Sequence, residues 1–248
     1  MKNKKLLITL IICVVAAAVI VAVVVGVNLN KNSEDNELIA QFIADLDGRK
    51  GEDIVEEDDD MDRAIIKDNG NSKLICYPKS SSELSPNYSV RTHKIDTITI
   101  HMTAGQLSIE TIGKIYRDKK QQASSNYGIG PDGRIGMYVE EKNRSWSSSN
   151  AQNDNRAVTI EVASDSYAPY KVNDAAYESL IELVTDICKR NNIKKLVWST
   201  DKNERINHLN GANMTVHSDF ANKACPGDYL YEHMGDIANK VNEKLGVK

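Results

Sequence analysis

Three residues of the sequence could together hold a metal ion: His101, His217 and Cys225. His101 ends the segment TITIH, whereas His217 and Cys225 lie eight residues apart in the downstream segment VHSDFANKAC. Two neutral imidazoles and one thiolate suit zinc, and three protein ligands leave the fourth tetrahedral position open to water. Open zinc sites catalyse hydrolysis, because the metal lowers the pKa of bound water to about 7. The alternative is a buried structural thiol near an unrelated histidine, since this spacing is not in itself a zinc signature.

Two charged residues could take part in such chemistry. Glu161 is the single acid within the apolar segment AVTIEVA, where a carboxylate is costly unless it is paired or functional. It is a candidate general base, although it could instead point to the outer face of an edge strand. Lys223 precedes Cys225 by two residues and could direct its ammonium at a developing oxyanion, or it could be an ordinary solvated lysine.

Two residues are candidates for substrate contact. Trp146 lies in the polar segment NRSWSSSN, where an exposed indole could stack on a sugar. The alternative for this tryptophan is a core residue that anchors the loop. Asn126 begins a predicted hairpin strand, and we predict that it also contacts the substrate.

Hydrophobic periodicity predicts the elements that position these residues. Apolar and alternating segments predict strands at 95–101, 126–130, 134–139 and 157–163. Apolar residues at helical spacing predict helices at 108–118, 173–190 and 229–245. The turn Pro131-Asp132-Gly133 joins two of the strands into a hairpin. Strands and helices in this order predict an α/β fold with a central mixed β-sheet flanked by α-helices.

The N-terminal segment predicts a transmembrane helix ahead of this fold. Residues 6–27 form a run of 22 residues without a charge, which is long enough to span a bilayer. Three lysines precede the run, so the positive-inside rule places residues 28–248 outside the cytoplasm. A cleaved signal peptide, the alternative, would have a shorter apolar core of roughly 7–15 residues and would yield a secreted protein. We therefore predict a single-pass protein of the cell membrane, with its basic tip and anchor at 1–27.

The rest of the chain divides into an acidic linker and one globular domain. Residues 34–62 contain thirteen acidic and two basic residues, and like charges at this density keep a chain extended. We place an acidic stalk at 28–84, in which 36–47 could form a short helix, and a catalytic domain at 85–248. From residue 85 onward there are 21 basic and 20 acidic residues, so this domain carries almost no net charge. This balance lacks the clustered basic face of a nucleic-acid-binding protein, so we expect no nucleic-acid partner. We also expect a monomer.

The sequence resembles the zinc-dependent N-acetylmuramoyl-L-alanine amidases of the second type. Four segments carry the resemblance, in this order: TITIHMTAG, SSNYGIGPDGRIGMYVEE, AVTIEVA and VHSDFANKACPGDYL. Phage lysozyme-type amidases and animal peptidoglycan recognition proteins are relatives within this family. The resemblance implies one catalytic zinc ion and ligands that match His101, His217 and Cys225. It implies a catalytic role for Lys223 and an acid/base role for Glu161. It further implies a mixed sheet with flanking helices, and hydrolysis of the amide between N-acetylmuramic acid and L-alanine in peptidoglycan.

The resemblance covers about residues 85–245, and two positions within it depart from the family pattern. Several relatives carry a catalytic tyrosine where this chain has Ser125, so we assign the acid/base role to Glu161. Relatives often read Trp-His-Ala-Gly after the hairpin, whereas here three serines at 147–149 follow the tryptophan, so a substrate-side histidine is missing. Two other functions compete: a non-catalytic peptidoglycan-binding module and a zinc peptidase that cuts the stem peptide. The presence of Cys225 favours an enzyme, because some members that only bind lack this ligand.

Overall fold

The structure is a computed structural model that describes residues 61–68, 71–78 and 84–247. The predicted anchor at 1–27 and the predicted helix at 36–47 lie outside the described residues. No helix within the described ranges is long and apolar enough to cross a membrane.

Nine strands and five α-helices make up the described part of the chain. The strands are β1 (Met61–Asp68), β2 (Asn71–Pro78), β3 (Tyr88–Val90), β4 (Thr97–Met102), β5 (Tyr127–Ile129), β6 (Ile135–Met137), β7 (Asn143–Ser145), β8 (Ala157–Val162) and β9 (Met214–Val216). The helices are α1 (Ile109–Arg117), α2 (Ala151–Arg156), α3 (Asp174–Arg190), α4 (Lys202–Asn207) and α5 (Gly227–Lys244). Short 3-10 turns occupy Lys119–Gln121, Leu209–Gly211 and His217–Asp219.

Seven of the strands form one sheet in the order β1-β2-β6-β5-β8-β4-β9. Strands β5, β8, β4 and β9 are parallel to one another, whereas β6 is antiparallel to β5 and β1 is antiparallel to β2. Strands β3 and β7 pair separately in an antiparallel ladder. The prediction of a mixed sheet with flanking helices is confirmed.

The two faces of the sheet differ because isoleucine and threonine alternate along β4. Ile98 and Ile100 are fully buried in the hydrophobic core, which also contains the apolar sides of α3 and α5. Successive side chains of a strand point to opposite faces, so Thr99 and His101 lie on the other side of the sheet. There the Thr99 hydroxyl is 2.8 Å from that of Thr215, on β9. One face of the sheet therefore supplies apolar burial, and the other carries buried polar groups.

Side-chain caps start two of the predicted helices at the positions that the sequence indicates. The Ser108 hydroxyl accepts a hydrogen bond from the backbone N–H of Thr111, three residues into α1. The Asn173 side chain accepts from the N–H of Ala176 at the start of α3. Such caps satisfy donors that have no partner within the helix, and each contributes about 1 kcal/mol.

A close approach between α1 and the β5–β6 hairpin depends on two glycines. Gly128 and Gly136 pair directly across the hairpin, and the ring of Tyr138 lies over both. A Cβ atom on either glycine would come within 2.8 Å of the Tyr138 side chain. The Tyr138 hydroxyl donates to the carbonyl oxygen of Ile109 at 2.7 Å, which ties α1 to this hairpin.

Strands β1 and β2, at 61–68 and 71–78, depart from the extended stalk that we predict for 28–84. They form the antiparallel pair β1–β2, and β2 pairs in parallel with β6, with Ile75 opposite Ile135. The globular part of the structure therefore begins before residue 85. The dense acidic charge next to this segment favours a linker when only local sequence is considered, whereas the pairing depends on a strand edge 60 residues further along the chain.

Candidate metal centre

The three predicted ligands converge at one edge of the sheet. His101 lies near the end of β4, and His217 directly follows β9, which runs parallel to β4 and ends at the same edge. Cys225 precedes the first turn of α5. One donor atom from each residue can be chosen so that all three lie within 4.8 Å of one another. The Nδ1 atom of His101 is 3.4 Å from the Sγ atom of Cys225.

These distances fit a zinc ion. In tetrahedral sites, metal–ligand distances of about 2.0–2.1 Å to nitrogen and 2.3 Å to sulfur place the two ligand atoms roughly 3.5 Å apart. The His101–Cys225 separation of 3.4 Å agrees with this value. Among the described residues, the cluster contains three ligand residues, as an open catalytic site requires and a closed structural site does not.

A glycine and two backbone contacts place the cysteine against β4. Gly227 has a φ of +80°, and a Cβ there would lie 2.7 Å from the Sδ atom of Met102, so only glycine allows α5 to start this close to the strand. The Met102 N–H donates to the Cys225 sulfur at 3.5 Å. The Ser218 N–H donates to the Cys225 carbonyl oxygen at 3.1 Å, which joins the cysteine to the turn that carries His217.

A buried ion pair supports that turn. The Asp219 carboxylate accepts a hydrogen bond from the N–H of Val216 at 3.1 Å, across the residue that bears the imidazole. The same carboxylate accepts from the Arg205 guanidinium at 2.6 and 3.0 Å. The buried carboxylate therefore ties the turn that carries His217 both to the end of β9 and to the arginine of α4.

Burial sets the protonation of the ligand cluster. It lowers the pKa of His101 well below its ordinary value, an effect that neighbouring His217 adds to, and it thereby favours the neutral ring that binds metals. Burial also raises the pKa of the Cys225 thiol well above its ordinary value. A divalent cation among these donors would offset that cost, because it stabilises the thiolate.

The predicted general base lies beside the first ligand. Strand β8 is flanked by β5 and β4, so the alternative of an outer-face residue on an edge strand does not hold for Glu161. Glu161 is in register with His101 in a parallel pair, which puts both side chains on the same face. Burial raises the pKa of Glu161 to about 8, against the opposing effect of a hydrogen bond that its Oε1 accepts from the Tyr116 hydroxyl at 3.0 Å.

The predicted catalytic lysine lies near the same cluster. Lys223 is half-buried and precedes the cysteine ligand by two residues. Burial is the main influence on the pKa of Cys225, and the Lys223 ammonium acts in the opposite direction, since its charge favours the thiolate. The position is compatible with a positive charge at the edge of the site, and its catalytic role stays a prediction.

The substrate-contact predictions have different outcomes. Asn126 is fully buried, and its side chain donates to the Val139 carbonyl and accepts from the Thr159 N–H, so its role is to join the hairpin to β8. The prediction that Asn126 contacts substrate is therefore corrected. Trp146 is half-buried, and its indole N–H donates to the Ser89 hydroxyl at 2.9 Å. This contact anchors the loop as the alternative interpretation requires, while a sugar contact by the indole stays a prediction.

Three site residues lie outside the sequence-based predictions. Tyr116 lies on the apolar side of α1, so its helical spacing does not distinguish it from a core residue. Ser147 and Ser149 contact the imidazoles of His101 and His217, each at 3.0 Å. The departure from the family pattern at 147–149 is the one sequence signal that points to these serines.

Comparisons with known proteins identify the family of the chain. A sequence model of the family described as N-acetylmuramoyl-L-alanine amidase matches residues 91–228, more than half of the chain. No curated protein matches the sequence significantly. The chain is similar in structure to the endolysin N-acetylmuramoyl-L-alanine amidase LysCS from Clostridium intestinale URNW, with a TM-score of 0.49 and 18% identity, over 70% of this chain and 96% of that chain.

Two further solved structures are similar at comparable levels. The Ph2119 endolysin from Thermus scotoductus MAT2119 bacteriophage Ph2119 has a TM-score of 0.43 and 17% identity, over 62% of this chain and 90% of that chain. A selenomethionine derivative of AmpD has a TM-score of 0.46 and 18% identity, over 62% of this chain and 92% of that chain. The family assignment rests on the sequence match, which spans all three ligand residues and the strand glutamate. The chain therefore belongs to the type 2 N-acetylmuramoyl-L-alanine amidase family and is an enzyme of that class.

Proposed function

We propose that this amidase depends on zinc and hydrolyses the amide between the lactyl group of N-acetylmuramic acid and L-alanine in peptidoglycan. The observation that carries the proposal is the cluster of three ligand atoms within 4.8 Å, from His101, His217 and Cys225. The Glu161 carboxylate on the adjacent strand, in register with His101, adds a base to this cluster. Family membership supports the amide substrate, and the donor chemistry supports zinc.

Zinc bound at this centre would supply Lewis-acid chemistry, which polarises a carbonyl group and lowers the pKa of water. The protein's own residues have the remaining tasks. Oε1 of Glu161 accepts a hydrogen bond from the Tyr116 hydroxyl. We therefore assign to Oε2 the task of taking a proton from the attacking water. Burial raises the pKa of this carboxyl, which favours its protonated form once it has taken the proton, whereas a cation bound beside it would favour the carboxylate that starts the reaction. The same carboxyl can therefore return the proton to the leaving nitrogen. Lys223 contributes positive charge beside the developing oxyanion.

The test is a cleavage assay with the full-length protein and purified peptidoglycan, with and without a zinc chelator. New amino termini and new reducing sugars are quantified in the same samples. We expect L-alanine termini without new reducing ends, loss of the activity on chelation, and recovery on addition of zinc. Amino termini from within the stem peptide would instead indicate a zinc peptidase, and binding without new termini would indicate a recognition module.

The assignment of the base is tested by Glu161→Gln. This variant keeps the shape of the side chain but cannot accept a proton, so we expect retained zinc binding and turnover reduced by roughly 10²–10⁴-fold. Glu178→Gln on the exposed surface of α3 is the matched control and should leave turnover unchanged. Full activity of Glu161→Gln would rule out this role for the carboxylate.

We also propose that residues 6–27 anchor the chain in the cytoplasmic membrane, with residues 28–248 facing the cell wall. The support is the uncharged run of 22 residues that follows three lysines. Fractionation of cells that express the full-length chain should recover it in the membrane with its original N-terminus. Release into the medium with a new N-terminus near residue 27 would establish the secreted alternative.

A further inference from the structure

Two serine hydroxyls lie against the two histidine ligands. The Ser147 Oγ is 3.0 Å from the Nε2 of His101, and the Ser149 Oγ is 3.0 Å from the Nε2 of His217. For His101, the opposite ring nitrogen, Nδ1, faces the Cys225 sulfur at 3.4 Å. The serine pair, Ser147 and Ser149, therefore contacts each ring on its Nε2 atom.

The loop that carries the serine pair is anchored by hydrogen bonds to helix α2. The Asp154 carboxylate, on α2, accepts hydrogen bonds from the N–H groups of Ser147 at 2.9 Å and Ser148 at 3.1 Å. Asp154 is 2% exposed, so the anchor is a buried one. Ser149 has a φ of +61°, a left-handed conformation that is uncommon for a residue other than glycine, and Asn150 caps α2 directly after it. A loop so constrained presents its hydroxyls in fixed positions.

A neutral imidazole has one N–H donor and one lone-pair acceptor, and a metal needs the lone pair. A hydroxyl that accepts the Nε2–H leaves the lone pair on Nδ1, which is the atom of His101 that faces the thiol. A proton on Nδ1 would keep a metal from that atom. A serine hydroxyl can donate or accept, so it accepts the Nε2–H when Nδ1 is the ligand atom, and the contact then fixes the orientation of the ring.

We infer that Ser147 and Ser149 are positioning residues that accept the Nε2–H of His101 and His217 and so orient both rings with Nδ1 toward the metal. This inference rests on the proposed zinc dependence. Serine hydroxyls achieve this without adding charge, whereas a carboxylate partner would raise the negative charge of the site.

The test measures zinc affinity and ring tautomers separately, in the full-length protein. Zinc dissociation constants are obtained by competition with a chelator for the wild type, Ser147→Ala, Ser149→Ala and the double variant. Ser148→Ala is the matched control, because the Ser148 hydroxyl contacts Asn150 at the start of α2 and Asn153 within that helix, and neither ligand. Loss of one such partner lowers metal affinity by about 10–100-fold, and we expect this loss in each ligand-side variant and less than twofold in the control. Ser147→Thr keeps the hydroxyl and should restore affinity.

Long-range proton–nitrogen NMR of the zinc-loaded protein, labelled at its five histidines, reports the tautomers directly. We expect two rings with protonated Nε2 and metal-bound Nδ1 in the wild type. Metal-bound Nε2 in either ligand, or affinities within twofold of the wild type for the double variant, would overturn the inference while leaving zinc dependence intact. A wild type that binds no zinc would overturn the proposed zinc dependence, and this inference with it.

Discussion

The buried pair of Arg205 and Asp219 gives a sharp prediction about stability. Their side chains are 2% and 1% exposed, and the guanidinium donates to both carboxylate oxygens. The guanidinium also donates to the Ser199 carbonyl at 2.8 Å and lies 4.4 Å from the centre of the Trp198 ring. The perturbation is Asp219→Asn, which keeps an oxygen for the Val216 N–H but removes the countercharge.

The expected cost follows from what remains after the substitution. Removing one partner of a buried ion pair lowers the free energy of unfolding by about 3–5 kcal/mol, because the other charge stays buried without a partner. Breaking an exposed pair costs only about 0–1 kcal/mol. Arg205→Met leaves an unpaired buried carboxylate and should cost a similar amount. Arg205→Met combined with Asp219→Asn leaves no buried charge, so its cost should fall below the sum of the single costs by about 2 kcal/mol or more.

The assay is urea unfolding followed by far-UV circular dichroism, with all four proteins free of metal. Glu140→Gln is the control, because Glu140 pairs with Lys142 in an exposed bridge whose side chains are 38% and 72% accessible. We expect this control to lie within about 0.5 kcal/mol of the wild type. Additive costs in the double variant, or a loss below about 1 kcal/mol for Asp219→Asn, would refute the reasoning.

Three other perturbations have defined outcomes. Tyr116→Phe removes the hydroxyl that donates a hydrogen bond to Glu161 and so orients its carboxylate. We expect kcat to fall roughly tenfold at constant KM in steady-state assays, and an unchanged kcat would contradict this orienting role. Gly227→Ala should cost about 1–3 kcal/mol more in urea unfolding than Gly246→Ala, since both have φ above +70° but only Gly227 is crowded; equal costs would count against the clash. Burial raises the pKa of Asp96, but hydrogen bonds from the arginine that ends α2 outweigh it and lower the pKa. The stabilisation is therefore present above the unfolded pKa of about 3.9 and is lost as the pH falls through the native pKa, so Asp96→Asn should destabilise at pH 7 and much less in acid; a pH-independent cost would disagree.

The sheet explains why the paired strands β1 and β2 differ from the predicted stalk. Strand β2 pairs with β6, which would otherwise be the edge of the sheet beyond the β5–β6 hairpin. An unpaired edge presents free backbone donors and acceptors, and an added strand satisfies them. Local composition gives no information about such an edge, because the edge is formed by residues elsewhere in the chain.

The sequence by itself identified the three candidate ligands, with the help of a family resemblance, and most of the elements. Histidine and cysteine are chemically distinct, and the periodicities of strands and helices are local properties, so β4, β8, α1 and α3 could be predicted from short segments. The caps at Ser108 and Asn173 are likewise local, since each bonds a backbone N–H three residues away.

Only the tertiary structure decided which side chains share the site. The register that aligns Glu161 with His101 joins residues 60 positions apart, and a shift by one residue would turn either side chain to the apolar face. The approach of Tyr116 depends on α1 packing over two glycines, and the serine contacts depend on a loop held by Asp154. The burial of Asn126 has the same origin, because its partners lie on other strands. These contacts follow from non-local packing, which leaves no periodic signal in the sequence.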